Sequence, residues 1–338
     1  EHLYPDRLPE QVERLAHHAF HGRVWEKAVT FLWQAGRKAF LRSANHEAAA
    51  YYEWAMLALQ QVPESRETCE QAVDLRSHLG NALVPLGEFK RILQHLSEAE
   101  PRAEALADQR RLARVLSFMA YCFVMTGTHA RAVALGQRAL ELAATLEDFP
   151  LQVRTNFYVG QAYQALGDYR RAINALHTAI DSLAGELRQK RLGVAGLPAA
   201  FISAWLVWCL AEVGEFCEAM AIGEKGVRIA EEVDHPFSLV VACAGVGMLY
   251  LCQGEPQQAI AVLERGLEVC RVWHIPLMFP WVASALGAAY SLEGRLAEAQ
   301  SILEHAIERA ATMNIMSRQG RQVAWLSEVH LLAGRLEE

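Results

Sequence analysis

A glycine recurs along this chain at Gly87, Gly127, Gly167, Gly214, Gly254, Gly294 and Gly334, at intervals of 40 residues interrupted once by an interval of 47. Self-similarity at a fixed period of this length predicts stacked supersecondary units that each share a core with their neighbours. The residues around each glycine define the unit. Seven positions before it stand small residues (Gly80, Ala120, Gly160, Gly247, Gly287), and four before it large ones (Leu83, Phe123, Tyr163, Leu210, Tyr250, Tyr290). Five after it stand Ala132, Ala172, Ala219, Ala259 and Ala299, with Ile92 the exception; twelve after it stand Ala99, Ala139, Ala179, Gly226, Gly266 and Ala306. Small residues at these offsets let two antiparallel helices approach closely, and the large residue fills the space between one hairpin and the next. The glycine itself suits the left-handed end of the first helix. Glu88, Asp168, Glu215 and Glu255 follow it, where a carboxylate favours the positive N-terminus of the second helix. Pro256 suits a first helical turn.

This pattern resembles the tetratricopeptide repeat, in the G-x2-Y steps Gly160/Tyr163, Gly247/Tyr250 and Gly287/Tyr290 and the A-x3-large steps Ala172/Leu176 and Ala259/Leu263. The period departs from the usual ~34 residues. The extra length adds about one turn to the helices and puts "EDFPL", "VDHPF" and "WHIPL" between units. Repeats of the HEAT type share a period near 40 but lack the small-residue code. The expected fold is therefore all-α: a right-handed superhelical solenoid of tetratricopeptide-like helical hairpins. Residues 1–62 read as an atypical N-terminal helical cap, in which Ala48, Tyr52 and Ala55 keep the second-helix spacing. Residues 63–338 read as the repeat array, with its last repeat truncated.

Longer stretches are similar to one bacterial family. "ERLAHHAFHGRVWEKAVTFLWQAGRKAFLRSANHEAAAYYEWAML", "AWLVWCLAEVGEF", "EEVDHPFSLVVACAGVG" and "PWVASALGAAYSLEGRLAEA" resemble the C-terminal repeat region of multidomain class III adenylate/guanylate cyclase–AAA (STAND-like) ATPase proteins. The resemblance implies that this chain is a regulatory tail, with cyclase and ATP-binding ATPase domains upstream as its partners. The absence of an initiator Met and an end within the repeat pattern fit such a piece.

Composition narrows the function. A net charge of -7 argues against nucleic acid, which needs a positive footprint. No apolar run in the sequence stands out as a membrane span, and the N-terminus lacks a signal-peptide pattern. Seven cysteines form no CxxC pair and read as reduced core thiols of a cytoplasmic protein. No phosphate loop is present; Gly245 and Gly247 start a G-x-G that sits in a helix and lacks its third glycine. His17 and His21 lie four apart on one helical face with no Cys or carboxylate beside them, a pattern of packing more than of metal ligation. No cofactor and no catalytic residue is expected.

What remains is surface. The first helix of each hairpin should line a concave inner face. Offsets of 13, 10, 6 and 3 before each glycine then select a partner-binding groove that includes Asn81, Arg114, Tyr121, Arg154, Phe157, Gln161, Gln164, Trp208 and Trp281, with Asn156 beside them. Mixed Arg, Gln and aromatic side chains are the composition of binding hot spots. For Phe157, Trp208 and Trp281 the competing reading is inter-repeat core. The extra residues of the 47-residue interval carry Arg188, Lys190 and Arg191, a basic stretch that reads either as a contact for an acidic partner or as a solvated insertion. The sequence thus points to a non-catalytic module that binds a protein or peptide, with possible homo-oligomerisation through the truncated last hairpin. The alternative is a small-ligand sensor, as in repeat tails of bacterial transcription activators, with an aromatic-lined pocket.

Overall fold

A computed structural model describes residues 11–42, 44–183, 185, 196–313, 315–316 and 318–335. All regular structure among them is helical. The chain packs as two compact units, Glu1–Cys122 and Phe123–Glu338, so the break falls inside a helix of the repeat pattern.

Unit 1 contains α1 (Val12–His21), α2 (Trp25–Leu41), α3 (Asn45–Leu59), α4 (Arg66–Leu83), α5 (Phe89–Ala105) and most of α6 (Gln109–Met125). Unit 2 continues with α7 (His129–Thr145), α8 (Phe149–Ala165), α9 (Tyr169–Asp181), α10 (Pro198–Glu212), α11 (Phe216–Glu232), α12 (Pro236–Gln253), α13 (Pro256–Val272), α14 (Phe279–Leu292), α15 (Leu296–Thr312) and α16 (Gln319–Leu332). The fold is the expected all-α array of tetratricopeptide-like hairpins.

Each hairpin turn follows from its glycine. Gly167 has φ +77 and Gly254 φ +74, in the left-handed region that only glycine enters without a Cβ penalty. The next residue closes the turn: the Asp168 N–H donates to the Tyr163 carbonyl at 2.9 Å, and the Glu255 N–H to the Tyr250 carbonyl at 2.9 Å. The turn between hairpins uses the same backbone motif without glycine. Ala107, Glu147, Asp234 and His274, each 20 residues past a repeat glycine, have φ values of 49–52. The following residue again reaches back, as Asp148 N–H does to the Ala143 carbonyl at 3.0 Å.

Helices within a hairpin are seated by a pair 16 residues apart. A Cβ added to Gly160 would stand 2.7 Å from Leu176 Cγ, one on Gly247 2.5 Å from Leu263 Cγ, and one on Gly287 2.6 Å from Leu303 Cγ. The order of sizes inverts in one hairpin, where Val207 faces Gly223. Gly36 and Tyr52 of unit 1 make the same pair, with Tyr52 Cε1 at 2.7 Å. The N-terminal segment therefore contains a hairpin built on the array's own code. Successive hairpins are joined by the large residue before the glycine: Gln137 Nε2 donates to Tyr163 Oη (2.9 Å), and Tyr290 Oη donates to Glu264 Oε1 (2.8 Å).

In the unit 2 hairpins after α8, the first helices are buried over most of their length. α10 buries every residue from Ile202 to Ala211, and α14 every residue from Pro280 to Ser291. An all-round apolar helix is a core helix. One of them, Pro236–Gln253, is long and apolar enough to cross a membrane, which corrects the expectation of no such run; 61% of it is buried inside unit 2, as a core helix would be. The thiols divide likewise. Cys122, Cys209, Cys243 and Cys270 are buried, Cys69 and Cys252 are intermediate, and Cys217 is exposed, contrary to the reading of all seven as core.

Candidate functional site

The inner side of unit 2 is the candidate site. α8, α10 and α14 bring Phe157, Trp205, Trp208 and Trp281 into one aromatic cluster. Phe157 meets Trp205 edge-on with centroids 5.5 Å apart, Trp205 lies 4.4 Å from Trp281, and Trp281 stacks on Trp208 at 6.0 Å. Trp208 is 1% exposed and Trp281 4%. Of the two readings open for these aromatics, the structure realises burial: together they close the inner face. Gln161 and Gln164 are buried beside them, Arg154 and Asn156 are half-buried, and Asn156 Nδ2 donates to the Gln152 carbonyl of its own helix. Asn81, Arg114 and Tyr121 belong to unit 1. There Asn81 and Arg114 are exposed, and half-buried Tyr121 packs against Phe89 and Phe118. Arg188, Lys190 and Arg191 lie outside the described residues.

The cluster is covered by the chain itself. Beyond α15 the backbone comes back toward the start of unit 2, where the Met316 N–H donates to the Met125 carbonyl at 2.9 Å. Arg318 then stands over Trp281 at 4.7 Å and Trp205 at 5.4 Å, and one helical turn on, Arg321 stands over Trp208 at 4.9 Å. Glu212 Oε1 accepts from both Arg321 Nη2 (2.6 Å) and Trp208 Nε1 (2.8 Å). One carboxylate thus orients the indole and the guanidinium that stacks on it. Gln322 Nε2 donates to Ser284 Oγ (2.8 Å) and to the Pro280 carbonyl (3.2 Å), fixing α16 on α14. Guanidinium over indole is the strongest cation–π pairing, and its worth rises with desolvation. The space left among Trp208, Met248, Trp281, Ser284, Arg318, Arg321, Gln322 and Trp325 is about 10 Å³, near the size of one water.

Sequence reasoning missed Trp205, Glu212, Arg318, Arg321 and Gln322. Arg321 had a signal: it stands 13 residues before Gly334, the inward offset of every complete hairpin.

The buried and half-buried thiols of unit 2 are not activated nucleophiles. Burial pushes the thiols of Cys209 and Cys270 to about 12 and those of Cys243 and Cys252 to about 11, holding them protonated at neutral pH. The His17 and His21 rings meet at a tilt of 55° with centroids 4.2 Å apart, and no group of three or more His, Cys, Asp or Glu among the described residues could hold a metal ion.

A family model described as Tetratricopeptide repeat matches residues 284–312, the hairpin that presents Trp281's helix and α15. Solved structures share the fold across most of the chain. A Rap conjugation gene regulator of the plasmid pLS20 in complex with the Phr* peptide has a TM-score of 0.67 at 15% identity, covering 87% of this chain and 77% of that one. A Rap protein complexed with Competence and Sporulation Factor has 0.59 at 18% identity, covering 91% and 76%. A tetratricopeptide repeat protein from Parabacteroides merdae has 0.53 at 14% identity, covering 89% and 98%. At these identities the likeness is one of fold. Repeats of this kind support a protein-interaction or regulatory module.

Proposed function

We propose that this chain is a non-catalytic regulatory module whose working surface is the inner face of unit 2, and whose partner is a peptide or protein segment. One observation carries the reading: residues of this same chain, Met316 and those from Arg318 to Trp325, already lie on that face and are held by stacking, an ion pair and backbone hydrogen bonding. Two of the structural relatives are complexes with Phr* peptide and with Competence and Sporulation Factor, which supports a peptide-type ligand for this fold. The aromatic cluster's small enclosed space gives the small-ligand alternative no comparable support.

By resemblance, the module serves a larger bacterial cyclase–ATPase signalling protein, and its upstream domains are further partners. Binding at the inner face would then shift how the module docks on those domains, by no more than the partner's differential affinity for the two states. The seven free cysteines support a cytoplasmic setting. Exposed Val323, Leu331 and Leu332 on α16 offer a surface for the domains or for a second copy.

The test is affinity capture from lysate of the source organism, with mass spectrometry of proteins and small molecules, using the native chain and a folded Glu212→Gln variant. A protein enriched by one form and altered with the variant supports the reading. A small molecule lost with the variant overturns it in favour of the sensor, and no enrichment by either form overturns inner-face binding.

A further inference from the structure

The segment on the inner face reports what that face recognises. Its grip is concentrated in two arginines three residues apart. Arg318 covers the Trp205–Trp281 edge, and Arg321 covers Trp208 while pairing with Glu212. A planar guanidinium is needed for this. It stacks on an indole face and still points N–H groups in its own plane at a carboxylate, whereas an ammonium is a hydrated point charge without a face to stack. Glu212 already orients Trp208 through the indole N–H, so the acidic and aromatic halves of the site form one unit. The net charge of -7 adds a weak general attraction for a cationic segment.

The fit of this occupant is incomplete. Trp281 Nε1 and Gln322 Oε1 are buried without a hydrogen-bond partner among the described residues. Left dry, such atoms penalise the bound state; the space bordered by Trp281 and Gln322 is about the size of one water. The occupying helix is also lightly held: α16 buries only Gln322 and Val329, while neighbouring α14 is buried from Pro280 to Ser291. Arg318 holds φ +69, which an arginine adopts only at a conformational cost.

Resting on the reading of this face as the working surface, we propose that the Trp205–Trp208–Trp281–Glu212 cluster is an arginine-reading site, filled in cis by Arg318 and Arg321. Its external partner is a polypeptide segment with two arginines three residues apart at the start of a helix, as Arg318 and Arg321 stand at the start of α16, and it binds by displacing those two side chains from the cluster. The chain's own segment is thus a competitor that sets the threshold for the partner. A partner that satisfies the Trp281 N–H, or carries its arginine without the left-handed backbone, gains over it.

The experiment uses the full chain in three forms: native, Arg318→Ala/Arg321→Ala, and Arg318→Lys/Arg321→Lys. The second variant keeps charge and helix, and stands in if the alanine form fails to fold. The probe is a labelled peptide with the sequence of residues 313–327, alongside the same peptide with both arginines replaced by lysine; binding is read by fluorescence anisotropy. Loss of the cis arginines should tighten binding of the arginine peptide by about tenfold or more, from one or two stacked, partly desolvated pairs. The lysine peptide should bind about tenfold more weakly, and adding Glu212→Gln to the receptor should weaken the arginine peptide further. Equal binding of the two peptides overturns the arginine reading. Equal binding by native and variant chains overturns the competition, and absence of binding to both variants overturns the site. The broader functional reading fails separately, when capture by native and variant chains enriches no protein.

Discussion

Placing a methyl group on Gly247 isolates the packing logic of the array. In an open helix interior, Gly→Ala stabilises by about 0.5–1 kcal/mol, because alanine loses less backbone entropy on folding. At Gly247 the new Cβ would stand 2.5 Å from Leu263 Cγ, and Leu263 is wholly buried. Overpacking of this kind costs about 1–3 kcal/mol. The collision outweighs the helix gain, and Gly247→Ala should destabilise by about 1–2 kcal/mol. Leu263→Ala alone should cost about 2–5 kcal/mol as a cavity. In the double variant the added methyl enters space the leucine has left, so the two changes should couple by about 1–3 kcal/mol in the favourable direction. Val207 facing Gly223 shows the array already tolerating the inverted order of sizes. Gly320 of α16 is the control, since a Cβ there meets nothing within 4 Å; Gly320→Ala should be neutral or mildly stabilising. The assay is urea denaturation followed by helical circular dichroism, with unchanged m-values as the condition for comparison. Stabilisation by Gly247→Ala, or simple additivity with Leu263→Ala, would refute close packing across the pair.

Further outcomes follow from particular residues. Gly167→Ala, at φ +77 with open space around it, should cost about 1–2 kcal/mol through backbone strain alone, and Glu147→Gly at φ +51 should recover about 0.5–1 kcal/mol of the same term; thermal melts check both. Tyr290→Phe removes the hydroxyl that donates to Glu264 and should cost about 0.5–1.5 kcal/mol, or more if Glu264 is left poorly solvated, measured by the same urea titration. Trp208→Ala should cost about 3–5 kcal/mol, since the side chain is 1% exposed at the centre of the unit 2 core. Burial lowers the proton affinity of His129, and the charge of Arg318 adds to it; the unfolded chain therefore takes up the proton first as pH falls. The stability this group contributes is complete above about pH 6.5 and declines below it, and His129→Gln should flatten that decline in denaturation series between pH 7 and 5.

Much of the fold was legible because the array repeats its physics. The glycine period marks the hairpin turns from Gly87 to Gly294, and the small residues seven before it mark the seats of Leu176, Leu263 and Leu303. The second turn was legible in its place, at "EDFPL", "VDHPF" and "WHIPL", but not in its conformation. Its left-handed positions are filled by Ala107, Glu147, Asp234 and His274, four residue types with no common chemistry, held there by the backbone hydrogen bonds of the turn.

The site was legible in part. Phe157, Trp208 and Trp281, selected by their offsets, come together in one aromatic cluster of unit 2. Trp205, the ring that joins them, stands one residue outside the inward offset and so escapes a rule based on spacing. Whether those rings face solvent depends on how tightly the hairpins wind and on what returns to cover them. Neither is encoded in the period of 40. Arg318 and Arg321 lie past the last complete hairpin, and only three-dimensional closure places them over α10 and α14.

The return of that segment is the central claim, and the Met316 amide tests it most directly. Its N–H donates to the Met125 carbonyl at the end of α6, across residues far apart in sequence. Site-resolved hydrogen exchange should show this amide protected well above the rate of a solvated loop, with protection lost in Arg318→Ala/Arg321→Ala. Exchange at the free-loop rate in the native chain would contradict the account, and leave the inner face of unit 2 without its cis occupant.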